Sequence, residues 1–481
     1  MNRHTKIVAT LGPASCAPET LEKLIRAGVD VFRMNFSHGS AQDHIDRAAH
    51  VRQIAATVGR PIGLLADLQG PKIRVGKFEN GKINLKDGDK FILDAKCELG
   101  NQERVGLDYK DLPNDVEAGN ILLLDDGRIV LEVERVVGAE IHTFVRHGGD
   151  LSNNKGINRQ GGGLSAPALT AKDMEDIKTA AKIGVDFVAV SFPKSASDMY
   201  MARQLMRASG GHALTIAKIE RVEAVAALEE ILDASDGLMV ARGDLAVEVG
   251  DAAVPALQKR MIHLAREKNK LTITATQMME SMILAPTPTR AEVSDVANAV
   301  LDGTDAVMLS AETAAGNYPV QTVQAMARIC LEAEKSLQIT LDREFLDRTF
   351  TRIDQSIAMA SLFAAYHLKV KAVAALTTSG STALWMSRLN CGIPIFALTH
   401  EPTSQTKMTL YREVFPLLLP NAKNDRDDMR YNAEQRLLEA GVVEKGDLIV
   451  ISYGDQHGVS GGTNTLSIVR VGERQPPSRK K

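Results

Sequence analysis

Short apolar runs alternate with amphipathic stretches over the start of the chain. Residues 6–11 form an apolar run that breaks at Gly12-Pro13, and 18–27 carry Leu21, Leu24 and Ile25 on one helical face, closed by Gly28. Residues 29–37 read as a second strand, 41–58 as a second helix closed by Gly59, and 61–67 as a third strand. Strand and helix alternating through short connections predict a parallel sheet with helices outside. From Pro71 to about Pro167 the pattern turns to strand signals with hardly any helix: 82–85, 91–94, 121–124, 129–137 and 141–145. Turn pairs punctuate them at Asn80-Gly81, Asp87-Gly88, Asp126-Gly127 and Gly148-Gly149. This predicts a small all-β domain inserted after strand three, seated as a lid over that end of the sheet.

The alternation resumes with a helix over 171–183, strands over 186–192, 214–220, 237–242, 271–276 and 306–310, and a last helix over 320–337. Three strands before the insertion and five after it make eight, the number that closes a (β/α)8 TIM barrel. No strand end carries a Gly-x-Gly-x-x-Gly fingerprint, which argues against an open doubly wound sheet. The remainder reads as an open α/β domain, with strands over 372–379, 393–398, 415–419, 448–452 and 466–471 and helical segments between the first four. The expected division is a barrel over 1–70 and 168–337, a lid over 71–167, and a C-terminal α/β regulatory domain over 338–481.

Composition narrows the class. The 481 residues carry a net charge of −3 with no basic face, which argues against a nucleic-acid partner. Cys16, Cys97, Cys330 and Cys391 lack ligand spacing and read as reduced thiols. With no signal-peptide pattern at the N-terminus and no apolar run long enough to span a bilayer, the expected location is the cytoplasm, away from membranes. The basic tail from Glu473, with two prolines, reads as a disordered end.

The chemistry centres on residues 214–248. Lys218 and Glu220 are two apart on a strand and so share a face. The next apolar strand ends in Arg242-Gly243-Asp244, so neighbouring parallel strands bring a lysine and two carboxylates to one rim. A surface salt bridge with Asp244 as a helix N-cap is the plain alternative. In a barrel, chemistry sits at the C-terminal strand ends. Those ends supply Arg33, Asn35 and Ser37; Asp67; Lys218 and Glu220; Asp244; Thr276; and Ser310 with Glu312. Glu220 and Asp244 offer hard oxygen ligands, too few for an octahedron, which suits Mg²⁺ or Mn²⁺ completed by substrate and water. Arg33 and Lys218 suit an anionic, phosphorylated substrate, and Arg74 and Lys155 flank the insertion, where lid closure adds two more cations. Positioning and charge neutralisation are what phosphoryl transfer needs. In the C-terminal part, Thr377-Thr378-Ser379-Gly380-Ser381-Thr382 leads into a helix near Ala383. It reads as a phosphate cradle or as ordinary N-capping by Ser381 or Thr382, with the glycine-rich 454–462 as a flap.

The strings TKIVATLGP, FRMNFSHG, DLQGPKIR, AKIERVEAV, MVARGDLAVE, TATQMMESM and PTRAEVSDVANAVLDGTDAVMLSAET resemble the pyruvate kinase family from Thr5 to about Thr465. The resemblance implies transfer of the phosphoryl group of phosphoenolpyruvate to ADP, giving pyruvate and ATP in glycolysis. It assigns Glu220 and Asp244 to the divalent metal and Lys218 to the charge on the transferred group and the enolate. Arg33, Gly243 and Thr276 are similar to the family's substrate contacts, and Arg74 and Lys155 to its nucleotide-phosphate contacts. Thr276, with Ser310 and Glu312, lies where the family protonates the enolate, and Asn35, Ser37 and Asp67 resemble its monovalent-cation site. The family also implies a homotetramer and a phosphorylated effector, most directly a sugar monophosphate, at Thr377–Thr382. Two departures stand out. Ala246 replaces the glycine of the usual GDLG, for which a small change in KM is expected. Gln69 and Lys72 depart from the K⁺-requiring pattern, which carries glutamate at the position of Lys72. Lys72 is expected to supply that cation's charge, so that K⁺ is not required. The competing readings are a non-catalytic sugar-phosphate-binding paralogue and a metal-dependent aldolase barrel acting on pyruvate enolates.

Overall fold

The computed structural model describes residues 3–337, 349–389, 391–419, 426–454 and 461–473, without the side chains of 426–428. The supposed flap residues 455–460, the tail beyond 473 and the expected boundary at 338 lie outside the described residues.

Eight parallel strands close into a barrel: Lys6–Thr10, Val31–Asn35, Gly63–Asp67, Phe187–Val190, Leu214–Ile219, Gly237–Ala241, Leu271–Ala275 and Ala306–Leu309. Strand one pairs with strands two and eight, which completes the ring. The strands are apolar runs rather than alternating ones because helices cover the outside and side chains fill the inside. Local sequence sets the helix starts. Capping boxes at Ser40/Asp43, Thr170/Asp173 and Thr289/Glu292 begin Ala41–Val58, Ala171–Ile183 and Arg290–Leu301.

Strand six corrects one expectation. It ends at Ala241, and Arg242–Val249 is a helix, so Asp244 sits in a helical first turn rather than on a strand end. The backbone leaves the strand at Ala241 (φ −92°, ψ 80°), and the helix dipole then favours a carboxylate at that turn. Two short helices, Val222–Ala226 and Leu228–Ala234, connect strands five and six.

The insertion after strand three is a β domain with its own core around Phe91, Leu122, Leu131 and Ile141. The C-terminal part holds the helix Ile353–Leu368, which the sequence reading passed over, and a five-stranded sheet. Its strands are Ala372–Leu376, Ile395–Thr399, Val414–Leu418, Leu448–Gly454 and Thr463–Arg470, in the order third, second, first, fourth, fifth, with only the last antiparallel. It docks on the barrel floor through a buried polar seam. Arg388 donates to Asp305 Oδ2 (3.0 Å) and Arg412 to Thr5 Oγ1 and the Thr304 carbonyl (both 2.9 Å). Among the described residues no helix is long and apolar enough to cross a membrane.

Candidate active site

The C-terminal ends of the barrel strands open into one cavity. Arg33, Asn35, Ser37, Asp67, Lys72, Arg74, Lys218, Glu220, Asp244, Thr276 and Ser310 line it. Lys218 occupies the middle. Its Nζ lies 3.0 Å from Glu220 Oε1 and 3.2 Å from Asp67 Oδ1, and donates to Ser191 Oγ at 2.7 Å. Burial alone would strip its proton, but the carboxylates of Asp67 and Glu220 outweigh burial and raise its pKa above the ordinary lysine value. Lys218 is therefore a fixed cation. Asp67 shows the mirror image: burial pushes its carboxyl up, while Lys218 and Arg33 prevail and hold it below the usual range. Arg33 Nε meets Asp67 Oδ2 at 2.6 Å and its Nη1 reaches Thr10 Oγ1 at 3.1 Å. Asp67 is thus flanked by two protein cations, on the carboxylate that the sequence reading gave to a monovalent ion.

Glu220 is pushed up by burial, with Lys218 opposing and Asp244 adding repulsion. Its Oε2 accepts the Phe192 N–H at 2.9 Å. Two hard carboxylates facing one cavity, one destabilised by the other, fit an open divalent site, since a cation between them relieves the repulsion. Among the described residues no group of three His, Cys, Asp or Glu side chains makes a closed cage, so substrate and water oxygens would complete the shell. Lys72 Nζ lies 3.2 Å from Asp244 Oδ1. Burial lowers its pKa, but Asp244, Asp126 and Glu220 raise it on balance. Asn35 Oδ1 accepts the Ser37 N–H at 3.1 Å beside it.

Thr276 follows strand seven at φ 68°, a left-handed conformation strained for a β-branched residue. The Gly243 N–H donates to its Oγ1 (2.8 Å), and Arg242 donates to its carbonyl (2.7 Å) while pairing with Asp295 (2.6 Å). Glu312 is buried, and burial pushes its carboxyl up. Its oxygens accept the N–H groups of Ser310 (2.7 Å) and Met279 (3.2 Å), so it clamps the backbone where strands seven and eight end. Gly243, Glu312 and Ala246 line the wider cleft between barrel and lid, with Asp126 of the lid opposite. Lys155 stands apart from both linings and pairs with Asp125 inside the lid at 2.7 Å.

Sequence reasoning passed over the end of strand four, which has no charged residue. Ser191 and Phe192 line the cavity there and bond Lys218 and Glu220. The register signals it, because Val190 pairs with Ala217 and so Ser191 falls beside Lys218. Thr10 was missed in the same way on strand one.

A second cavity lies in the C-terminal part, lined by Thr377, Thr378, Ser379, Ser381, Thr382, His400, Tyr453 and Thr463 among others. Gly380, at φ 86°, precedes the helix Ser381–Ser387 and donates its N–H to Thr377 Oγ1 at 2.9 Å. Ser381 and Thr382 lie inside the first turn rather than at the cap, and Thr382 is hydrogen-bonded to Thr463 at 2.7 Å.

A (β/α)8 barrel with an inserted β domain, and at its mouth a buried lysine between carboxylates under a rim of cations, defines a phosphotransferase. The chain belongs to the pyruvate kinase family. The family's barrel domain matches residues 2–323 and its alpha/beta domain residues 355–469. The chain is 54% identical to pyruvate kinase II of Salmonella typhimurium over 475 residues, 98% of this chain and 99% of that one. It is 54% identical to the pyruvate kinase of Haemophilus influenzae over 461 residues (94% and 96%), and 42% to that of Geobacillus stearothermophilus over 475 (97% and 80%). Neither the aldolase reading nor the non-catalytic one is favoured by these matches.

Proposed function

We propose that this protein moves the phosphoryl group of phosphoenolpyruvate to ADP, releasing pyruvate and ATP. The observation that carries this is the Lys218 ammonium, buried at the barrel mouth between Asp67 and Glu220 with Arg33 alongside. Arg33 holds the substrate phosphate, and the chain's cations offset its charge in a site shielded from water. As the P–O bond to the enol oxygen breaks and one to the ADP β-phosphate forms, Lys218 faces both the transferred group and the enolate. Thr276, which lines the same cavity after strand seven, stands where the enolate carbon would take its proton. Glu220 and Asp244 would hold Mg²⁺ or Mn²⁺, which when bound supplies further neutralisation of phosphate charge. Arg74 lines the cavity on the nucleotide side, and Lys155, paired with Asp125 inside the lid, would join it there only on lid closure. The cytoplasm, where such soluble substrates would be met, is the location this reading expects.

Lys72 supplies charge that removes a need for K⁺, supported by its place in the cavity with Asn35, Ser37 and Asp67. The hydroxyl-lined pocket around Thr377–Thr382 receives a phosphorylated effector, most directly a sugar monophosphate. Homotetramer formation would cover Ile353, Phe363 and Ile468, which stand exposed on a helix and its adjoining edge strand. The purified protein, given phosphoenolpyruvate, ADP and Mg²⁺, is expected to form pyruvate and ATP together in a coupled assay. Pyruvate appearing without ADP, or none at all, would overturn the reading.

A further inference from the structure

Lys218 has three donors, and two of them meet carboxylates that also serve other partners: Asp67 binds Arg33, and Glu220 binds the Phe192 amide. The third meets Ser191 Oγ at 2.7 Å. That hydroxyl has no freedom to turn. Its proton is committed to the Leu68 carbonyl at 2.7 Å, so a lone pair is what it presents to Lys218. Leu68 is in turn fixed by its own N–H on the Ala189 carbonyl at 3.0 Å. Gly70, at φ 66°, presses over the same spot, and a Cβ there would come within 2.7 Å of Ser191 Cβ. Ser191 is 1% exposed, and the strand register sets it beside Lys218. Among the described residues it is the one neutral acceptor on the ammonium, and it keeps its geometry whatever charge the two carboxylates carry.

We propose that Ser191 is a positioning residue for Lys218: the hydroxyl, locked by the Leu68 carbonyl where the chain enters the lid, aims the ammonium at the reacting oxygens. This rests on the reading of Lys218 given above. Without that acceptor the ammonium settles toward Asp67 and Glu220 and away from the substrate. Substrate binding through Arg33 is untouched, so the loss falls on turnover.

The test is a cycle of wild type, Ser191→Ala, Lys218→Met and the double variant, read as kcat, KM for phosphoenolpyruvate, thermal midpoint and Mn²⁺ binding to the free protein by electron paramagnetic resonance. Ser191→Ala is expected to lower kcat about 10- to 100-fold with KM within about twofold, the range of a lost hydrogen bond to a charged group. Mn²⁺ still binds the free protein, and the thermal midpoint falls by at most a few degrees, the cost of one buried carbonyl left without its donor. The double variant is no slower than Lys218→Met alone, because Ser191 acts through the lysine. Should the alanine variant fail to fold, Ser191→Cys carries the same test, since its thiol is a poor acceptor for the ammonium; the same loss of kcat is expected. A kcat within about twofold of wild type, or the full loss repeated in the Lys218→Met background, overturns the proposal. If Lys218→Met itself turns over normally, the reading of the lysine fails; if it is slow while Ser191→Ala is normal, the positioning role alone fails.

Discussion

Lys218 and Glu220 stand two residues apart at the end of barrel strand five, and their side chains meet at 3.0 Å on one face. The pairing follows from strand geometry, and its effect is electrostatic. A buried ammonium would lose its proton alone, and a buried carboxylate would gain one. Together with Asp67 they keep a positive charge on a buried ammonium, where it is less screened than in bulk water when an anion develops beside it.

Replacing that ammonium while keeping the volume isolates its role. Lys218→Met is expected to lower kcat by about a hundredfold or more, equivalent to roughly 3 kcal/mol of transition-state stabilisation. The circular dichroism spectrum should stay close to wild type, and Mn²⁺ should still bind, no more weakly than before, because the ammonium paired with Glu220 is gone. Near-normal turnover in the folded variant would refute the assignment.

The barrel was legible because eight apolar runs and their glycine- and cap-bounded helices repeat one local pattern, which needs no long-range information. The charged rim was legible for the same reason: Lys218, Glu220 and Arg33 occupy strand ends whose facing follows from a period of two. What stayed hidden depends on register. Ser191 becomes informative only once Val190 is known to pair with Ala217. Lys155 shows the converse: its sequence position says only that it lies beside the hinge, and the fold of the lid adds Asp125 as its partner. Asp244 reached the rim by a helical turn that apolar patterning does not separate from a strand end.

The seam below the barrel sets a stability prediction. Asp305 is fully buried and accepts from Arg388, from the Thr272 amide (2.9 Å) and from the Arg412 amide (3.1 Å). Burial pushes the nearby Arg266 down to about 10, with Arg388 and Arg412 adding repulsion and Asp305 opposing them. Asp305→Ala therefore leaves guanidinium groups crowded without their counter-charge, and is expected to cost about 3–5 kcal/mol. Replacing both partners, as Asp305→Leu with Arg388→Leu, should cost less than the single change. Chemical unfolding of the two variants checks this, and equal losses would contradict it.

Glu248 predicts a pH dependence. Burial pushes its carboxyl up from 4.5 to about 7, against the opposing hydrogen bond from the Val222 N–H. Between those pH values the folded protein holds a proton that the unfolded chain has released, so this group's contribution to stability falls as pH rises through the window. The expected loss is about 2–4 kcal/mol. Glu248→Gln keeps an acceptor for Val222 and should flatten the decline from mildly acidic to neutral pH. An unchanged slope in thermal midpoints across that range would rule the carboxyl out.

At the C-terminal pocket, charge reversal separates regulation from turnover. Exchanging Thr378, Ser379 and Ser381 together for acidic residues fills the hydroxyl-lined cavity with negative charge. Activation by sugar monophosphates should vanish while basal kcat stays within about twofold of wild type, because a phosphate needs donors there rather than carboxylates. Undiminished activation would move the effector site elsewhere.

Lys72 and Asp244 carry the last prediction. The ammonium lies 3.2 Å from the aspartate, in the cavity that Asn35, Ser37 and Asp67 also line. Burial works against its charge, yet the surrounding carboxylates of Asp244, Asp126 and Glu220 keep it protonated. Asp67 already faces Arg33 and Lys218, so a K⁺ entering beside it would meet three protein cations at close range. The protein should therefore show substantial activity in tetramethylammonium or Tris salts at constant ionic strength, with K⁺ adding little. Lys72→Glu removes the fixed charge and adds an oxygen ligand, and it should make turnover depend on K⁺ or NH₄⁺. The exchange should also change Mn²⁺ affinity in the free protein, because the cation competing for Asp244 is gone. If the wild-type protein is nearly inactive without K⁺ and the ion restores it, Lys72 does not stand in for the monovalent cation.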